Sequence, residues 1–260
     1  MTKTECRPTS VEWPVLYVPL VLAMFVAGGI SGMTGFGVGI VGSISLAILV
    51  GPKLAVILLS ILSSFTATAQ VVKFRADLPV VRRLVWLLAA ALLGAIAGSF
   101  LLVWLPYAVL ALLLGAFTLT YVAVSVSGFR PRASEHAERV LSPVIGLLAG
   151  VINSTVGSSG PVLGPYLLAL GLTPEAFITS ISVAFLTMGV VRVITLAALA
   201  QYTWPIVAAG LSLLAPTFLG QLVGFWLQKR VAKEVFERLV LALLAVAAGY
   251  LVFRGVRAAL

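Results

Sequence analysis

Three features of this 260-residue chain have the types and spacing to do chemistry. The first is Arg192, a lone cation in a stretch that is otherwise uncharged from Ala176 to Gln228. Arginine at the centre of a membrane helix costs about 2.5–3.5 kcal/mol on insertion scales, so it is expected to face a cavity or a partner. No acidic residue lies well inside any predicted span to pair with it. The second is Gln70, 122 residues earlier, which an internal register described below places at the matching position. The third is a pair of glycine- and hydroxyl-rich segments, Ile30-Ser31-Gly32-Met33-Thr34-Gly35-Phe36-Gly37-Val38-Gly39 and Ile152-Asn153-Ser154-Thr155-Val156-Gly157-Ser158-Ser159-Gly160-Pro161. Each glycine weakens continuous helix by roughly 1 kcal/mol, and Pro161 removes a donor, so both segments are expected to break. A broken helix presents free N–H groups and a positive dipole end, which suit an anion. The chemistry these residues support is recognition of a small anion. Arg192 would supply charge; Ser31, Thr34, Gln70, Asn153, Ser154, Thr155, Ser158 and Ser159 would supply hydrogen bonds around the break glycines Gly35 and Gly157. Two plainer readings stand beside this one: glycines that only let helices pack closely, and an Arg192 that snorkels to an interface or binds a backbone carbonyl.

Bond-making chemistry has little to work with. One cysteine, Cys6, has no disulfide partner, and one histidine, His136, falls in a polar connector, so no metal, haem or iron–sulfur ligand set is present and no cofactor is expected. Gly157-Ser158-Ser159-Gly160 fits the G-x-S-G pattern of intramembrane serine proteases. That reaction needs a base within reach of the serine, and His136 is poorly placed to be one. An enzyme is not expected.

The elements that must position these residues follow from composition. Hydrophobic residues make up 61% of the chain and charged residues 10%, with mean hydropathy +1.17. Soluble domains average roughly 45–50% apolar and about 25% charged. Uncharged runs such as Trp13–Pro52, Leu84–Phe129 and Val193–Gln228 exceed the roughly 20 residues that a helix needs to cross the hydrocarbon core. Runs such as Leu87–Ala97 lack the alternation of a β-barrel strand. Net charge +9 would invite nucleic acid, but the basic residues sit in connectors between apolar runs, where they set topology and meet anionic lipid headgroups of the bilayer. The expectation is no nucleic acid, and a retained first helix rather than a removed signal peptide.

A gapless register of 122 residues aligns the two halves. Gly28, Gly35, Gly42, Pro52, Ser60, Gly98 and Trp104 match Gly150, Gly157, Gly164, Pro174, Ser182, Gly220 and Trp226. Eleven of the 17 Lys and Arg residues fall in three connectors, near 73–83, 130–139 and 229–238. Putting those connectors inside follows the positive-inside bias. Each half then holds an interrupted hairpin, about 14–50 and 140–171, followed by three full helices, about 53–73, 82–104 and 106–126, then 175–200, 204–227 and 234–253. The halves have opposite orientation, a plan common among secondary transporters. The expected fold is an all-α polytopic membrane protein of two inverted repeats, each a broken-helix hairpin plus three transmembrane helices: residues 1–127, a cytoplasmic connector 128–139, and residues 140–260. Gly94/Gly98 and Gly220/Gly224 have GxxxG spacing, which permits close helix approach and a possible homodimer.

The two copies of a glycine-rich hairpin, each followed by a helix that starts with proline (Ala27-Gly28…Gly35-Phe36-Gly37-Val38-Gly39…Pro52 and Ala149-Gly150…Gly157-Ser158-Ser159-Gly160-Pro161…Pro174), resemble the sulfite exporter TauE/SafE family over nearly the whole chain. Phe36 and Val38 interrupt the first glycine run, and Ser158-Ser159 the second. The resemblance implies a multi-pass protein of the bacterial inner membrane that exports sulfite or small organosulfonates such as sulfoacetate. An exported monoanion runs down the membrane potential, worth about 2.3 kcal/mol per 100 mV, and the lack of intramembrane Asp or Glu accords with transport that needs no proton carrier. A non-transporting membrane assembly factor and a transporter of a different small anion are the alternatives.

Overall fold

A computed structural model describes residues 13–35, 37–127, 135–227, 245, 248–250, 252–253 and 255–257, and the regular structure over them is helical. Helix α1 (Trp13–Thr34) ends at a break; a π-helical turn (Val38–Gly42) then leads into α2 (Ser43–Val50). Next come α3 (Pro52–Lys73), a 3-10 segment (Arg75–Leu84), α4 (Val85–Trp104) and α5 (Tyr107–Ser127). The second half opens with α6 (Glu135–Val156), breaks, and continues with α7 (Gly160–Ala169), α8 (Pro174–Ala198) and α9 (Trp204–Leu227). Among the described residues, five helices are long and apolar enough to cross a membrane: Pro52–Lys73, Arg75–Trp104, Tyr107–Val124, Glu175–Ala198 and Trp204–Leu227.

Local chemistry accounts for the boundaries. Both α3 and α8 start on a proline, Pro52 and Pro174, where the missing N–H would have had no helical partner. The Thr173 hydroxyl accepts from the Ala176 N–H at 3.3 Å and caps α8. The helix expected from residue 82 instead starts at Val85, after a 3-10 segment that contains Pro79, where the α-helical ladder lacks a donor. The connector expected over 128–139 gives way earlier than its sequence implied: α6 begins at Glu135, and Glu138 on its first turn takes a bidentate bond from Arg83 (Nε to Oε1, 2.7 Å). The helix expected over 234–253 lies largely outside the described residues. Exposed tryptophans sit at both ends of α4 (Trp86, Trp104) and of α9 (Trp204, Trp226). At 1.5 Å rise per residue these pairs lie about 27 and 33 Å apart, matching a hydrocarbon core of about 30 Å.

Among the described residues the two most extensive helix crossings are α1 against α9 and α4 against α6. Each brings backbone against backbone through glycine. A Cβ added to Gly28 would lie 2.1 Å from the Thr217 carbonyl oxygen, and one on Gly224 2.1 Å from that of Gly29. In the other crossing, a Cβ on Gly94 would lie 2.2 Å from the Leu147 carbonyl oxygen and one on Gly150 2.3 Å from that of Ala91. Lipid tails are as apolar as leucine, so close van der Waals contact between small residues is what binds such helices. The two GxxxG motifs serve this intramolecular packing. Their register also differs from the gapless one: Gly220 meets Phe25 and Gly29, while the residue that meets the matching Leu147 and Val151 is Gly94, not Gly98. The offset is 126 at these helices, one helical turn beyond 122. A shift of four residues returns nearly the same face of a helix to its partner.

Candidate functional site

The chain turns sharply at two glycines that occupy the same place in the 122-residue register. Gly35 has φ +92° and Gly157 φ +93°, a left-handed conformation that a side chain disfavours. Their surroundings match as well: Gly35 packs on Ile178 and Ile181 of α8, and Gly157 on Val56 and Leu59 of α3, each pair 122 residues apart. The two breaks touch, since a Cβ on Gly39 would lie 3.0 Å from Ser158 Oγ and 3.3 Å from the Gly157 carbonyl oxygen.

Between the breaks lies a small cavity lined by Ser31, Gly35, Val38, Gly39, Ser63, Thr66, Ala67, Gln70, Asn153, Gly157 and Phe185. Water-sized centres have about 20 Å³ in it, where a single water takes roughly 10–15 Å³. A three-oxygen anion would therefore need the walls to part. Five of the residues expected at the site are brought together here: Ser31, Gly35, Gln70, Asn153 and Gly157.

Arg192 is 0% exposed and does not line the cavity; it stands one layer behind the wall. Its Nη1 donates to the Asn153 carbonyl oxygen at 2.7 Å and its Nη2 to Ser63 Oγ at 3.0 Å, while Nε has no partner among the described residues. Both atoms it holds belong to cavity-lining residues. The carbonyl reading of Arg192 is thus realised, and the snorkelling one is not. Gln70 does the corresponding work at the first break: Nε2 donates to the Ser31 carbonyl at 2.8 Å and to Ser31 Oγ at 3.1 Å, and Oε1 accepts from Ser182 Oγ at 2.7 Å. Both carbonyls also accept the last helical N–H before the turn, Gly35 to Ser31 at 2.8 Å and Gly157 to Asn153 at 2.9 Å. A carbonyl oxygen has two lone pairs, so the acceptors at both breaks are already used.

The other expected residues lie elsewhere. Ser154 is fully buried against Gly98, with its hydroxyl unpartnered among the described residues. Thr155 Oγ1 donates to the Gly98 carbonyl at 3.1 Å and the Val151 carbonyl at 2.8 Å, so both residues belong to the α4–α6 crossing. Ser158 lines a separate narrow crevice with Ile40, Ser43, Thr118, Tyr121 and Pro161, and its Oγ accepts the Gly160 N–H at 3.4 Å. Ser159 is buried, with its hydroxyl unpartnered among the described residues, at the start of α7. That helix start does not line the cavity; the segment that opens with Val38 and Gly39 does. The side chain of Thr34 and all of Phe36 lie outside the described residues. Ser63, Thr66, Ala67 and Phe185 were not anticipated. Phe185 stands 122 residues after Ser63, so once either is placed at the cavity the register points to the other.

Long apolar helices packed around a small cavity between two helix breaks make this a polytopic helical membrane protein. It belongs to the sulfite exporter TauE/SafE family, whose model matches residues 20–251. Membership implies a membrane transporter of sulfur anions such as sulfite. No curated protein and no solved structure matches the chain.

Proposed function

We propose that the protein exports a small sulfur oxyanion, sulfite or a two-carbon organosulfonate such as sulfoacetate, across the bacterial inner membrane, and that the cavity between the breaks is the anion site. One observation carries the reading. The cavity's break carbonyls are occupied by Gln70, Arg192 and backbone N–H groups, leaving hydroxyl and amide groups as what a ligand would meet, with a buried cation one layer behind them that has no carboxylate partner among the described residues. Such a wall favours a ligand made of acceptors. Among the described residues the one ion pair is Arg83–Glu138, so nothing there neutralises Arg192. A negative ligand would supply the missing charge at short range, where the low dielectric of the interior makes the attraction strong.

The same reading includes an inverted relation between the halves. It is supported by the exchange of partners in the two glycine crossings, α1 with α9 and α6 with α4, and by the matched surroundings of Gly35 and Gly157. Rocking of one half against the other around the touching breaks would widen the cavity toward each side in turn. Outward movement of a monoanion is driven by an inside-negative potential without a coupling ion.

The test is uptake and release by purified protein in liposomes, with sulfite, sulfoacetate, sulfate and taurine under imposed potentials of either sign. Flux of sulfite or sulfoacetate that follows the potential is expected, and the zwitterion taurine is expected to be rejected. A panel without flux in any arm overturns the proposal.

A further inference from the structure

The five hydroxyl residues of α3 divide into four that are occupied by their own helix and one that is not. Ser60 donates to the Ile57 carbonyl, Ser64 to Ser60, Thr66 to Ser63 and Thr68 to Ser64. Such back-bonding is the ordinary fate of a hydroxyl in an apolar helix. Ser63 differs. Its Oγ accepts from Arg192 Nη2 at 3.0 Å, and its own proton has no acceptor among the described residues. It lines the cavity. A hydroxyl has one proton to give, and the guanidinium can only donate. Arg192 therefore turns Ser63 into a donor whose proton is left for whatever occupies the cavity, and polarises that O–H at the same time.

The residue 122 positions on from Ser63 is Phe185, which lines the same cavity. The wall is thus unequal: a hydroxyl backed by a cation comes from α3, and an aromatic face comes from α8. At the Phe185 end the polar group is Gln70, whose carboxamide is committed to Ser31 and Ser182.

Resting on the anion-transport reading above, we infer that Ser63 is the residue that hands the charge of Arg192 to the substrate. Its hydroxyl donates to one oxygen of the sulfite or sulfonate group, and the carbon part of an organosulfonate lies toward Phe185. Arg192 is then a positioning residue that acts through Ser63, and the site has one anionic pole rather than two.

Calorimetric titration of purified protein with sulfite and with sulfoacetate tests this. Ser63→Ala is expected to weaken both by about 10–100-fold, the range for a lost hydrogen bond to a charged group. Ser64→Ala, whose hydroxyl bonds back to Ser60, should leave binding as in the wild type. A second pair guards against a fold defect: Ser63→Thr and Ser63→Val have nearly the same shape and differ in the hydroxyl, so Thr should retain binding and Val should lose it. Equal affinity for Thr and Val, or wild-type affinity in Ser63→Ala, overturns the role of Ser63. Absence of binding by the wild-type protein instead overturns the anion site itself.

Discussion

The two breaks solve one structural problem with different side chains. At each, a helix ends on a left-handed glycine and its last cavity-facing carbonyl needs a second donor. Gln70 meets that need at Ser31 and Arg192 meets it at Asn153, with the same separation of 39 residues in both cases. The neutral amide is closed on itself by Ser31 Oγ and Ser182. The guanidinium brings a charge, an Nε without a partner among the described residues and a bond to the cavity-lining Ser63. The comparison separates two functions that a single residue could hide. Clasping the break needs any donor; attracting an anion, the role proposed above for Arg192, needs the charged one.

The largest effect should come from exchanging the two. The double variant Gln70→Arg, Arg192→Gln keeps the net charge and leaves a donor near each carbonyl, yet moves the cation away from Ser63. It is expected to remain folded in detergent and to lose saturable sulfite binding and flux by more than about 100-fold, whereas retained transport would mean that the halves are interchangeable. A smaller effect is expected from the turns. Alanine at either φ-positive glycine should cost about 1–2 kcal/mol in strain, read as a lowered midpoint of thermal unfolding. Gly157→Ala should cost more than Gly35→Ala, because its new Cβ meets Ser43 Cβ at 3.2 Å, while at Gly35 the nearest atom is a side-chain methyl of Ile181 at 3.4 Å. The smallest change should follow Ser182→Ala, which removes one neutral hydrogen bond from Gln70: about 1 kcal/mol of stability or less, with sulfite affinity unchanged. A large loss of affinity there would place Gln70 nearer the ligand than its closed bonding indicates.

Membrane helices, the positions of both breaks and the burial of Arg192 were legible in the residues, since each follows from a strong local preference: apolar length, clustered glycine, or a cation without a counter-charge. Which hydroxyls reach the cavity was not. Successive helix residues are rotated by about 100°, so Asn153 can line the cavity while Ser154 and Thr155, read as its companions, turn into the α4–α6 crossing. Ser63 was hidden among the other hydroxyls of α3, because residue type alone does not tell which of five hydroxyls on one helix is left without a back-bond. The four-residue slip between Gly98 and Gly94 was equally invisible, as a one-turn shift leaves the pattern of small residues on one face intact.

The pairing of α1 with α9 bears on how the molecule is made. As the ribosome delivers the chain, α6 finds α4 already inserted, but α1 must wait in the lipid until the segment ending at Leu227 arrives. Its glycine face stays unmatched for most of synthesis, so the bundle closes late, from its first helix onto one of its last. Truncation before that point would strand α1 without the surface it is shaped to meet.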